Sequence, residues 1–407
     1  MKILHLMSQH PESTGSGFYL QNVIRQAALA GQQNFLVAGI SDGIVPEISG
    51  ITSKNSRFVR FGEGGLDFAI PGMSNVMPYP SSRFDALTDK QITTYELAFA
   101  ETIRDAAGDF RPDIIHSHHL WLVSSVARGV LPDIPMVASC HSTDLRQYIL
   151  CPQLRSRVRK PCLAIDRVLA LSRHQAEQIT EIYGIAPERI DRVGGGYDQE
   201  VFFPGEKCSA PPIHLLYAGK LSLAKGVDWL LRTFNALEDT ALHLHLAGSG
   251  FGEEARLCLH LAQQAGERVT VHGRIRQQEL AKLMRMCHIF VLPSFYEGLP
   301  LVLLEALAAG CRIIATDLSG CCELLAGAGT DLVRFVELPP LASIDRPDPG
   351  DWRILETRLA TAIADMAAGV RQVPSPSLSA ITKSTSAFSW QAVFARILAA
   401  YEKARSG

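Results

Sequence analysis

The chain has 407 residues, 47% of them hydrophobic and 20% charged, with a formal net charge of −2 at pH 7. That length exceeds what one hydrophobic core serves and predicts two domains of about 200 residues each. The near-neutral balance excludes a general electrostatic drive toward nucleic acid. The composition is that of a globular protein, and no apolar run approaches the roughly 20 residues that span a bilayer.

The first run, Met1-Lys2-Ile3-Leu4-His5-Leu6-Met7, is too short for a secretory leader and lacks a small-residue cleavage site, so it reads as a strand over 2–7. Gly15-Ser16-Gly17 then opens a helical pattern over 17–30. The G-x-G is a weak fragment of a dinucleotide fingerprint. Leu20 occupies the third glycine position, which disfavours hydride-transfer chemistry. Strands at 34–40, 113–119, 136–141 and 168–172 alternate with helices at 93–107 and 173–183.

Two strand ends in this half carry histidines. His116-Ser117-His118-His119 raises a metal site, but no carboxylate or cysteine follows closely, so hydrogen-bonded strand-end histidines are the better reading. His141 sits in Ser139-Cys140-His141-Ser142-Thr143-Asp144. Beyond it, Arg155, Arg157, Arg159, Lys160 and Arg167 form a basic run. Such a run is first a solvated face; second, Arg155 to Lys160 offers peripheral contact with anionic lipid headgroups or a phosphorylated acceptor. Cys151 and Cys162 flank it and read as free thiols. The odd total of nine cysteines favours reduced thiols and a cytoplasmic location.

Phe202 to Pro212 is Pro-rich and aperiodic, and places a boundary between an N-terminal domain over 1–205 and a C-terminal domain over 211–387. Strands at 214–218, 242–247, 269–272, 289–293 and 312–316 alternate with helices at 227–235, 253–264, 277–286 and 301–309. Alternation of this kind predicts right-handed crossovers, two doubly wound parallel sheets, and ligands at the carboxyl ends of the strands. An amphipathic helix follows near 389–403, with Trp390, Val393, Ile397, Leu398 and Tyr401 on one stripe.

The densest chemistry lies in two loops of the second half. Ala218-Gly219-Lys220-Leu221-Ser222-Leu223-Ala224-Lys225-Gly226 leaves a strand and enters a helix with Lys220 and Lys225 at its mouth. An isolated pair of lysines is usually solvated. The second loop changes that weighting. Ser294-Phe295-Tyr296-Glu297-Gly298-Leu299-Pro300-Leu301-Val302-Leu303-Leu304-Glu305 also runs from a strand into a helix, with Pro300 at the helix start and Gly310 at its end. A helix start offers amides and a positive dipole end to an anion such as a diphosphate. Carboxylates beside such a site make sense when they accept from sugar or ribose hydroxyls, and a sugar nucleotide supplies both needs. Leu246-Ala247-Gly248-Ser249-Gly250 and His272-Gly273-Arg274-Ile275 are further strand-end glycine turns.

With its flanks Leu292-Pro293-Ser294 and Gly310-Cys311-Arg312-Ile313-Ile314-Ala315-Thr316-Asp317, the E-x7-E element resembles that of the retaining glycosyltransferases of family 4, which carry a group 1 glycosyl transferase domain. The resemblance extends over nearly the whole chain, including Val193-Gly194-Gly195-Gly196-Tyr197-Asp198, and is weakest at 42–89 and 338–351. It implies a GT-B fold, two Rossmann-like domains facing a central cleft, with the last helix (388–405) packing back on the first domain. It implies that Glu297 contacts the transferred sugar and Glu305 the ribose, and that Gly298, Leu299 and Pro300 meet the distal phosphate. Lys220 and Lys225 would stabilise the leaving diphosphate, and Gly219 would shape their turn. Gly273, Arg274 and Ile275 would flank the base, Gly15 and Gly17 would border phosphates and acceptor, and His141 would stand beside the donor sugar. In relatives Lys220 is often arginine and Ser142 often glycine; the serine would narrow the pocket.

The implied reaction moves a sugar from a nucleotide-diphosphate sugar, a UDP-sugar for choice, to a hydroxyl with retention. The acceptor would be a sugar, a lipid-linked sugar or a small molecule in surface polysaccharide, lipopolysaccharide or glycolipid synthesis. No D-x-D pattern is present, so neither a metal nor another cofactor is expected. The rivals are a sugar-nucleotide epimerase of the same fold and a silent sugar-nucleotide-binding module.

Overall fold

Ile3, Leu4, Leu6 and Met7 are wholly buried, as a continuous apolar run demands of a strand covered on both faces. In the computed structural model, which describes residues 1–12, 14–74, 77–343 and 345–406, they lie in an interior strand of the sheet in the first of two units. The units are Met1–Gly195 with Trp390–Gly407, and Gly196–Ser389.

The first unit runs β1 (Lys2–Met7), α1 (Gly15–Leu29), β2 (Gln33–Ser41), β3 (Ser56–Phe61), a small pair β4 (Pro71–Gly72) and β5 (Ser82–Arg83), then α2 (Asp89–Phe110) and β6 (Ile114–His118). It continues with α3 (Leu122–Val130), β7 (Met136–Ser139), α4 (Thr143–Leu150), α5 (Arg155–Leu163), β8 (Arg167–Ala170), α6 (Arg173–Tyr183) and β9 (Ile190–Arg192). Its parallel sheet has the order β3-β2-β1-β6-β7-β8-β9. The order reverses between β1 and β6, which is where open α/β sheets leave a crevice at their carboxyl ends.

The second unit runs β10 (Ile213–Ala218), α7 (Val227–Ala236), β11 (Leu242–Ala247), α8 (Gly252–Gln264), β12 (Val269–Gly273), α9 (Gln277–Met286) and β13 (Ile289–Leu292). It ends with α10 (Leu301–Ala308), β14 (Arg312–Thr316), α11 (Ser319–Leu325), β15 (Val333–Val336), α12 (Trp352–Gln372) and α13 (Leu378–Thr385). The order β12-β11-β10-β13-β14-β15 reverses between β10 and β13. The loop that bears Lys220 and Lys225 and the loop that bears Glu297 leave those two strands.

The chain then returns to the first unit as α14 (Trp390–Ser406), where Val393, Ile397 and Tyr401 are fully buried. Trp390 meets Tyr19 edge to face at 5.2 Å, and Tyr401 hydroxyl lies 2.7 Å from His116 Nδ1. The units divide at Gly195/Gly196, ahead of the Pro-rich stretch read as the boundary. That stretch is anchored within the second unit: Phe202 is 1% exposed in its core, and Lys207 Nζ donates to the carbonyls of Met284 at 3.1 Å and Ala309 at 3.2 Å. The described cysteines are all free, and among the described residues no helix is long and apolar enough to cross a membrane.

Candidate functional site

The loop after β10 is shaped by backbone that only glycine tolerates. Gly226 has φ +63°, and a Cβ there would lie 1.9 Å from the Pro293 carbonyl oxygen. The loop therefore seats directly against the end of β13. Phe295 N–H reinforces the seam by donating to Ala224 O at 3.0 Å. This close approach carries Lys225 to the second loop, where its Nζ meets Glu297 Oε1 at 2.8 Å. Ser294 Oγ donates to the same oxygen at 2.7 Å, and Ser294 O in turn accepts from Thr316 Oγ1 at 2.7 Å. Glu297 is thus held from two sides with its side chain only 11% exposed, against 30% for Lys225.

The backbone between Glu297 and α10 has the properties of an anion site. Among the described residues, the amides of Tyr296, Glu297, Gly298 and Leu299 donate to no protein group. Gly320, at the start of α11, leaves no room for a side chain, since its Cβ would stand 2.0 Å from Gly298 O. Four neighbouring unpaired N–H groups ahead of a helix, with a lysine beside them, form an arrangement that favours phosphate oxygens. Lys220 is exposed and makes no ion pair among the described residues. Gly219 is needed beside it, because a Cβ would fall 2.7 Å from the Tyr217 hydroxyl, itself bonded to Lys220 O at 2.7 Å.

Glu305 lies within α10, half-buried, and burial pushes its carboxyl up to about 7 against the opposing effect of a hydrogen bond to Gln277. Gly273 ends β12 at φ +65°, and its carbonyl accepts from Gly248 N–H at 2.7 Å, so the two glycine turns brace each other. Arg274 is exposed, while Ile275 packs its side chain against the unit's core.

In the first unit, Gly15 and Gly17 open α1, capped by Thr14, whose Oγ1 accepts from Gly17 N–H at 3.1 Å. A Cβ on Gly17 would lie 2.7 Å from Pro11 O, which explains the glycine. His141 follows β7 and is aligned by a residue that sequence reasoning did not single out. Asp144 accepts the His141 N–H at 2.5 Å on one oxygen and faces His119 Nδ1 at 3.1 Å on the other. Burial raises the Asp144 carboxyl, yet the His119 partner and the His141 amide outweigh it and leave it below the usual carboxylate range. His141 is pushed down to about 3, first by burial and then by His119, so it is a neutral imidazole at physiological pH. Tyr19 contacts it edge to face at 5.0 Å. Ser142 sits at φ +66°, in the left-handed region that favours glycine.

Other candidates are engaged elsewhere. His5, His116 and His118 bring ring nitrogens within 4.8 Å of one another. However, His116 spends both nitrogens on Tyr401 and on Ser139 Oγ at 2.8 Å, and His5 holds Asn34 Oδ1 at 3.0 Å. A cation there would displace these bonds and be buried among neutral imidazoles. In the basic run, Arg155 Nε donates to Tyr148 O at 2.8 Å and Arg157 pairs with Glu96 at 2.7 Å, which leaves Arg159 and Lys160 as its exposed members.

Residues 212–337 match the model for glycosyl transferases group 1, and residues 80–201 the model for glycosyltransferase family 4. The chain is similar to a D-inositol 3-phosphate glycosyltransferase of Paenarthrobacter aurescens (strain TC1), at 26% identity over 86% of this chain and 88% of that one. Its fold resembles sucrose-phosphate synthase from Thermosynechococcus elongatus, with TM-score 0.72, 19% identity and coverage of 99% and 98%. It also resembles the Anabaena protein HepE solved with UDP and glucose, with TM-score 0.66, 15% identity and 98% coverage of both chains.

Proposed function

Because this chain belongs to the family 4 glycosyltransferases with a group 1 glycosyl transferase domain and has the GT-B fold, we propose that it transfers a sugar, with retention, from a nucleotide-diphosphate sugar to an acceptor hydroxyl. The observation that carries this reading is the loop of the second unit, where Lys225, Glu297 and four unpaired amides converge. A diphosphate satisfies the amides and Lys225. As it takes over the lysine, Glu297 is freed to accept from the hydroxyls of the transferred sugar.

Charge building on the departing diphosphate is stabilised by Lys225, Lys220 and the Gly298 and Leu299 amides, groups already in place before reaction. In this reading those groups do the work that a metal does in other transferases, and no metal is assigned. Glu305 takes the ribose hydroxyls, and Gly273 to Ile275 flank the base. A UDP-sugar is the first donor to test, since a structural neighbour was solved with UDP. His141, a neutral imidazole whose backbone N–H is held by Asp144, is assigned to hydrogen bonding and not to charge. The acceptor is a sugar, a lipid-linked sugar or a small molecule. The exposed pair Arg159 and Lys160 remains the place for peripheral contact with a membrane surface.

The test is a thermal-shift panel of UDP, GDP, ADP and dTDP sugars on the full chain. A ligand present at about 100 times its dissociation constant adds roughly 2.7 kcal/mol of stability. The donor so found should release nucleoside diphosphate only with an acceptor present. Conversion of it to an epimerised sugar nucleotide would instead make the protein an epimerase, and binding without turnover would make it a silent module.

A further inference from the structure

The turn that carries Lys225 is capped from outside itself. Leu223–Lys225 forms a single 3₁₀ turn, and Ser222 at its N-cap makes no side-chain hydrogen bond to it. Its first amide, Leu223 N–H, donates instead to Glu254 Oε2 at 3.0 Å, in the first turn of α8. The neighbouring backbone brings the two together. Leu221 N–H donates to Ser249 O at 3.0 Å, and a Cβ on Gly250 would stand 2.4 Å from Leu221 O. The loop after β11 is thus pressed against the loop after β10.

Glu254 is held in turn by a third segment. Its other oxygen, Oε1, accepts from Arg346 Nη2 at 2.6 Å. Arg346 belongs to the stretch 338–351 between β15 and α12, where the family resemblance is weakest, and its carbonyl accepts from Ser343 N–H at 3.3 Å. We infer that Glu254 and Arg346 are positioning residues for the transfer, which together fix the turn that presents Lys225 to the diphosphate. Their role in transfer rests on the function proposed above.

Geometry and charge point the same way. Lys225 lies two residues beyond the capped amide, so a shift of the turn moves its Nζ away from Glu297 and the unpaired amides. Misplacement by 1 Å can cost about 10²-fold in rate. Burial raises the Glu254 carboxyl, yet the bonds from Arg346 and Leu223, with Lys220 within electrostatic reach, leave it below the usual carboxylate range. It is therefore ionised at neutral pH beside the diphosphate loop. Arg346 offsets that charge, which leaves Lys220 available to an anion. With both side chains 39% exposed, the pair adds little to stability, so its effect belongs to the site and not to the fold.

Hydrogen exchange over residues 219–226 of the full chain reads the cap without a donor, and kcat/KM for the donor reads its consequence. Glu254→Ala and Arg346→Met should each speed exchange there and lower kcat/KM by about 10-fold, as for a displacement well short of 1 Å. The melting temperature should move by no more than about 2–4 °C, as for an exposed ion pair. Arg346→Lys should recover most of the lost activity. Arg346→Met added to Glu254→Ala should cost nothing further, because Arg346 acts through that carboxylate. Glu253→Ala, which faces Arg256 at 3.8 Å, should change neither readout. Should Glu254→Ala fail to fold, Arg346→Met and Arg346→Lys carry the same test. Unchanged exchange, unchanged kcat/KM, or additive losses in the double variant overturns the inference. An unaltered chain that turns over no donor contradicts the proposed function instead, and the exchange result alone then upholds or overturns the cap.

Discussion

Lys225 Nζ and Glu297 Oε1 lie 2.8 Å apart, across two loops that leave different strands of the same sheet. Each charge satisfies the other, and in the proposed function the donor divides them: phosphate for the lysine, sugar hydroxyls for the carboxylate. Lys225→Ala should leave the fold intact, because its side chain is 30% exposed and belongs to no core cluster. Turnover should fall by about 10²–10³, the cost of removing a comparable charge-stabilising donor. Circular dichroism with steady-state kinetics checks it. An unfolded variant, or wild-type turnover, would remove Lys225 from the diphosphate site.

Gly226 makes the Lys225–Glu297 approach possible. A methyl group at φ +63°, aimed 1.9 Å from Pro293 O, forces the loop away from β13. Gly226→Ala should destabilise by more than the roughly 1–2 kcal/mol of a left-handed non-glycine residue and should lose most donor affinity at the same time. Thermal melts and nucleotide titration report the two effects, and unchanged values of both would contradict the seam described here.

Glu305 gives a pH dependence whose sign follows from burial. Its carboxyl is raised to about 7, above an unfolded value of about 4.3. The folded state therefore keeps a proton that the unfolded state has lost, and the contribution to stability is full below about pH 4 and lost as pH rises through 7. In the proposed function ribose hydroxyls donate to the ionised carboxylate, so nucleotide affinity should increase between pH 6 and pH 8. Ionisation of the nucleotide's own phosphate, near pH 6, affects both proteins alike. The comparison with Glu305→Gln isolates the carboxylate, and the variant should show the shallower pH dependence.

Turnover should survive exhaustive chelation, because the proposed function assigns the charge stabilisation to Lys220, Lys225 and the Gly298 and Leu299 amides. Dialysis against EDTA followed by a product assay tests it. Complete loss, restored by Mg²⁺ or Mn²⁺, would replace that assignment with a metal-assisted one.

The doubly wound topology was legible because parallel strands buried on both faces read as unbroken apolar runs; β1, β11 and β14 have the predicted bounds. Within the two large sheets, three strands escaped for a physical reason. β3, β9 and β15 lie at sheet edges, where Arg57, Arg60, Asp191 and Arg334 interrupt the apolar signal. In the site, residue types at fixed spacing named Lys225 and Glu297, but spacing along the chain does not encode the 2.8 Å between their side chains, which depends on Gly226 meeting Pro293. Asp144 escaped because a carboxylate near a histidine in sequence is common, and only the turn at Ser142 folds its oxygen onto the His141 amide.

The most direct measurement compares Glu297→Gln with Glu305→Gln for nucleotide affinity and kcat. Glu305 is assigned to the ribose, which is unchanged by reaction, so its loss should weaken nucleotide binding and raise KM with a smaller effect on kcat. Glu297 is assigned to the sugar, where positive charge develops, so its loss should depress kcat while bare nucleotide binds nearly as well. If Glu297→Gln instead abolishes nucleotide binding and Glu305→Gln leaves it intact, the two roles are reversed and the account of the site is wrong.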